Sequence, residues 1–166
     1  FNYLLSSNTN ATVEGVIFNG LSVQGNYGWG ANDTLALSGS HTIATNTLID
    51  AKSAQLLGSD SSDTFTIVGA GEINYQRANI GDGVNFTVIR TVNAGSGIDQ
   101  VNAAANTNWQ LNGNGALSAQ SVNFTGVDKA SATASQLLAT TGNDNFSLSE
   151  VGNVSVAGIV FGGLDN

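Results

Sequence analysis

One segment of this chain occurs twice. Gln55-Leu56-Leu57-Gly58-Ser59-Asp60-Ser61-Ser62-Asp63-Thr64-Phe65 returns as Gln136-Leu137-Leu138-Ala139-Thr140-Thr141-Gly142-Asn143-Asp144-Asn145-Phe146, with the leucine pair, the aspartate and the phenylalanine each 81 positions on. A leucine pair, a small polar turn, an aspartate and an apolar strand start form a unit. Such units cannot bury their apolar faces alone, so a chain built from them stacks neighbour on neighbour.

Other segments repeat more loosely. Gly15-Val16-Ile17-Phe18-Asn19-Gly20-Leu21 has a counterpart in Gly158-Ile159-Val160-Phe161-Gly162-Gly163-Leu164. Val84-Asn85-Phe86 and Val122-Asn123-Phe124 are shorter versions. Two glycine turns lead to an aspartate and then an apolar residue: Gly28-Trp29-Gly30-Ala31-Asn32-Asp33-Thr34-Leu35 and Gly95-Ser96-Gly97-Ile98-Asp99-Gln100-Val101. Glycine supplies positive φ there, and Asp or Asn caps the turn through its side chain. Ile49-Asp50 precedes Leu56-Leu57 as Val127-Asp128 precedes Leu137-Leu138. Joining Leu164-Asp165-Asn166 to Phe1-Asn2-Tyr3-Leu4-Leu5 would make a third such link. The chain therefore reads as one window of a longer tandem array, with internal repeats at about 1–48, 49–126 and 127–166.

Thr64-Phe65-Thr66-Ile67-Val68 and Asn145-Phe146-Ser147-Leu148 alternate with a period of two, the mark of a half-buried strand. Similar short strands are predicted at 33–37, 41–45, 47–51, 72–75, 85–90, 108–111, 121–125 and 153–156. The Ala-rich stretch 129–140 aligns with a segment too short for a stable helix. The fold class is all-β, a β-solenoid of short strands with about three coils per imperfect repeat; the alternative is a β-sandwich. In a solenoid like residues stack in register, and Phe65/Phe146 and Leu56/Leu137 are the expected ladders. Like charges in register repel, so the few charges should be staggered.

The composition narrows the function classes. Lys and Arg number 4 against 12 Asp and Glu, for a net charge of −8, which argues against a phosphate-binding surface and so against nucleic acid. The absence of cysteine removes disulfides and thiolate metal sites. No apolar run is long enough to insert in a membrane as a helix.

The patterns Leu137-Leu138-Ala139-Thr140-Thr141-Gly142-Asn143-Asp144-Asn145-Phe146, Gly158-Ile159-Val160-Phe161-Gly162-Gly163-Leu164-Asp165 and Gly95-Ser96-Gly97-Ile98-Asp99-Gln100-Val101 resemble the β-strand repeats of giant secreted bacterial adhesins. These are filamentous-haemagglutinin-like proteins and surface proteins with toxin-type calcium repeats. The resemblance implies an extracellular, elongated, non-enzymatic stalk or filament, secreted or held at the cell surface, whose partners are neighbouring copies of the same module.

Three sets of side chains are candidates for chemistry. Asp33, Asp63, Asp99 and Asp144, with Asp60 and Asp82 assisting, sit in or beside turns that resemble half of a calcium nonapeptide. The nonapeptides do not follow one another, however, so the complementary half-site is missing and a turn-capping role competes with calcium. Tyr27 and Trp29 in a glycine-rich turn, with Tyr75 and Trp109, offer an aromatic glycan platform, Trp109 being the one expected to pack inside. His41 follows Ser38-Gly39-Ser40, but no nucleophile elbow accompanies it and a structural role is expected. A polysaccharide-degrading β-helix needs clustered acidic and basic groups, and the four basic residues are scattered. The chain is thus expected not to be an enzyme, to require no cofactor except for a calcium ion in the alternative, and to serve as a structural repeat module.

Overall fold

Alternation of apolar and polar residues, interrupted every few positions by Gly, Asn or Asp, leaves this chain little choice but short strands joined by tight turns. A computed structural model of the protein describes residues 2–7, 10–14, 16–18, 33–37, 48–77, 83–150 and 152–164. Its regular elements are all strands. In chain order they are β1 (Asn2–Ser7), β2 (Asn10–Val13), β3 (Val16–Phe18), β4 (Thr34–Leu37), β5 (Leu48–Asp50) and β6 (Gln55–Leu57). Then come β7 (Asp63–Gly69), β8 (Glu72–Arg77), β9 (Val84–Thr87), β10 (Thr91–Asn93), β11 (Gln100–Asn102) and β12 (Asn108–Gly113). The last are β13 (Ala116–Ala119), β14 (Val122–Thr125), β15 (Lys129–Leu138), β16 (Ser147–Glu150), β17 (Asn153–Val156) and β18 (Ile159–Leu164).

These strands form a curled mixed sheet with two rows. The first runs β3-β2-β1-β4-β6-β10-β14-β13-β12 and ends on residues 136–138 of β15. The second runs β5-β9-β8-β7-β11, then residues 129–131 of β15, then β18-β17-β16. Among the described residues antiparallel pairing is confined to four three-stranded meanders, β1–β3, β7–β9, β12–β14 and β16–β18, and every other join is parallel. The meander turns are two residues long where both positions accept positive φ, as at Gln120-Ser121 and Ala157-Gly158, the twist that matches flanking strands.

β15 serves both rows because it bends. Ala134 has φ 51°, and the pairing with β18 slips between Ser131 and Ser135. The alanine-rich stretch, in keeping with its lack of a stable helix, is this ten-residue bent strand. Its small side chains let it cross from one row to the other.

Both rows feed one core. In the first, Leu35, Leu56, Val92 and Phe124 lie side by side on successive strands, all buried. In the second, Phe65, Val101, Ala130 and Phe161 do the same. Trp109 of the first row meets Phe161 of the second edge-on, with ring centroids 6.5 Å apart. The ladders expected from the repeat are not the ones formed. Leu56 pairs with Leu35 and Val92 rather than Leu137, and Phe65 with Tyr75 and Val101 rather than Phe146. Units 81 residues apart lie too far along the rows to touch, so unlike apolar residues from neighbouring passes fill each column.

Candidate functional site

Three aspartates begin successive strands of the second row. Thr64, Gln100 and Lys129 are register partners, which stacks Asp63, Asp99 and Asp128 immediately before them. Each carboxylate is used on its neighbour. The Asp63 amide donates to Asp99 Oδ1 at 2.7 Å, and the Asp99 amide donates to Asp128 Oδ2 at 2.8 Å. Asp63 in turn accepts from the Ser59 amide at 2.6 Å, from the Ser59 hydroxyl and from the Tyr75 hydroxyl at 3.1 Å. Proximity to that carboxylate and burial both hold the Tyr75 hydroxyl well above the usual phenol range, burial being the larger cause.

The column overturns the expectation that charges are staggered. Backbone amides, which carry no counter-charge but donate strongly, compensate stacked carboxylates in part. The compensation is incomplete at the centre. Asp99 is fully buried, its Oδ2 has no hydrogen-bond partner, and its pKa is pushed up to about 6. Desolvation is the main cause; the Asp63 amide opposes it, and the flanking Asp63 and Asp128 charges add to the rise.

The duplicated segment folds into a duplicated turn. Thr140 donates to Asp144 through its amide at 2.9 Å and through its hydroxyl, as Ser59 does to Asp63. The Gly142 amide closes on the Thr140 hydroxyl as the Ser61 amide closes on that of Ser59. Asp63 and Asp144 thus cap equivalent turns. Asp33 is buried ahead of β4, its carbonyl accepting from the Gln55 amide. Of the four predicted carboxylates, Asp63 and Asp99 come together, while Asp144 caps its own turn. Asp60 is exposed, and Asp82 lies outside the described residues. Among the described residues no group of three or more His, Cys, Asp or Glu is placed to hold a metal ion.

No protein-family model, curated protein or solved structure matches the chain.

The aromatic platform does not assemble from the residues described. Tyr75 is buried and stacks on Phe65 with centroids 4.8 Å apart, and Trp109 is fully buried with its indole N–H unpaired. Tyr27, Trp29 and His41 lie outside the described residues. Asp128 is the member of the column that sequence reasoning missed. Its signal was present: Asp63-Thr64-Phe65, Asp99-Gln100-Val101 and Asp128-Lys129-Ala130 share an Asp–polar–apolar order. What the column can do is staple consecutive passes of the chain. It offers neither a nucleophile with an adjacent base nor an acid and base facing an open cleft.

Proposed function

We propose that this chain is a structural repeat module of a secreted surface adhesin or extracellular filament, built as a β-solenoid in which each pass lays one strand or one three-stranded meander on the first row and then one on the second. The observation that carries it is the alternation along the chain. From β4 onward, β4 is followed by β5, β6 by β7–β9, β10 by β11, β12–β14 by the first half of β15, and its second half by β16–β18, each time first row then second. Three such passes separate Leu56 from Leu137, in keeping with three coils per repeat. Stability in such an array comes from contacts between neighbouring passes, so length is added without a new kind of core. The low charge density, the acidic balance and the adhesin-like patterns favour an extracellular role.

The test is length. Strands stand about 4.8 Å apart, so a genetic fusion of two copies should form a straight rod longer than one copy by roughly 40–45 Å, measured by electron microscopy or small-angle scattering. Two copies tumbling as beads on a string, with no fixed end-to-end length, would overturn the proposal. A calcium-stiffened form of the same module is the second reading, resting on the half-nonapeptide turns that carry Asp33, Asp63, Asp99 and Asp144.

A further inference from the structure

Among the described residues the four meanders follow one rule, and two of them leave it unfinished. In β7–β9 the last strand pairs parallel with the preceding pass (β5) and the first strand with the following one (β11). In β12–β14 the last strand likewise pairs back to β10 and the first forward to β15. In β1–β3 the first strand pairs forward to β4, which leaves β3 facing back. In β16–β18 the last strand pairs back to β15, which leaves β16 facing forward. Residues 136–138 of β15 are open beside it, paired among the described residues only with β12, while Ser135 just before them pairs with Leu164 of β18.

The duplicated sequence shows what an open edge lacks. Phe65 and Ile67 in β7 are covered by the next pass and are 0% and 2% exposed, whereas Phe146 and Leu148, 81 residues later, are 52% and 81% exposed. Leu137, Leu138, Phe146, Val154 and Leu164 line a groove of about 400 Å³ at this end. At the opposite end β3 exposes Val16 and Ile17, at 58% and 66%.

We propose that the forward end, residues 136–138 of β15 with β16, docks the backward end, β3, of a second copy of this chain, with β3 adding as a parallel strand to the first row. The two ends are complementary in kind: one lacks a following pass and the other lacks a preceding one. Their lengths also agree. Gly58 has no room for a Cβ because the Ala94 carbonyl of the next pass presses on it, but Ala139 stands at the equivalent position. Close pairing therefore stops at Leu138, which suits a three-residue β3. The contact is head to tail, so it does not close and builds a fibre. The inference rests on the module role proposed above and adds the edges and the polarity.

The experiment uses Ile17→Arg and Leu148→Arg, each at an exposed side chain, with the circular dichroism spectrum and melt expected to stay as in wild type. By light scattering after gel filtration, the wild-type chain should form a concentration-dependent ladder of oligomers. Each variant alone should be a monomer. An equal mixture should give a species of twice the 16.9 kDa of one chain and nothing larger, since only one good end of each remains. An Ile17→Arg chain that still dimerises, or a mixture that stays monomeric while the wild type assembles, overturns the assignment of the edges. A monomeric wild type whose two-copy fusion still forms the longer rod overturns docking between chains and leaves the module role standing.

Discussion

Asp99 is the residue at which the fold is most strained electrostatically. Its carboxyl titrates near 6 in the folded protein against 3.8 for the free side chain, so between those values the folded state binds the extra proton. Its contribution is therefore fully present below the unfolded pKa and is lost as pH rises through about 6. Asp99→Asn keeps an acceptor for the Asp63 amide and removes the buried charge. The variant should be more stable than wild type by about 1–2 kcal/mol at pH 8, with the advantage vanishing near pH 4. Denaturant midpoints across this range test it, and an unchanged difference at both ends would remove Asp99 as the titrating group. The capping aspartates make a matched pair. Asp63→Ala strands the Ser59 amide and the buried Tyr75 hydroxyl and should cost about 3 kcal/mol, while Asp144→Ala, on the half-exposed copy of the turn, should cost about 1 kcal/mol. Urea unfolding of the two variants side by side measures the difference.

Among the elements, β15 is the one whose conformation the sequence concealed. Local propensity misleads across Lys129–Leu138, because alanine is the strongest helix former and is depleted in strands; the pairing with β11, β12 and β18 overrides it. The bend at Ala134 holds a non-glycine residue in the left-handed region. Ala134→Gly relieves that strain at some cost in unfolded-state entropy and should raise stability by about 0.5 kcal/mol, whereas Ala134→Val should lower it by more than 1 kcal/mol. A thermal melt showing the reverse order would mean that β15 does not bend there. β7, β8, β12, β14 and β17 were legible from alternation and flanking turns. β6, β10 and β11 are only three residues long, too short for a period to register, and exist because a strand on either side completes their hydrogen bonds.

At the scale of the whole molecule, the metal-free module proposed above should melt identically in millimolar calcium and in chelator, followed by far-ultraviolet circular dichroism. An upward shift with calcium would instead move the candidate aspartates Asp33, Asp63, Asp99 and Asp144 from turn caps to ligands, because an ion bound only by the folded state stabilises it by mass action. The sequence by itself determined that this protein is all-β, that it is made of repeated strand–turn units, and that Asp63 and Asp144 occupy equivalent turns. Those properties follow from residue spacing and turn chemistry, which act within a few positions. Only the tertiary structure decided which residues share a column, that Asp128 joins Asp63 and Asp99, that Tyr75 and Trp109 are buried, and which edges remain open among the described residues. Each of these depends on how many residues the chain spends on a pass before returning to the same row. That length is set by where the meanders are inserted, and no local pattern records it.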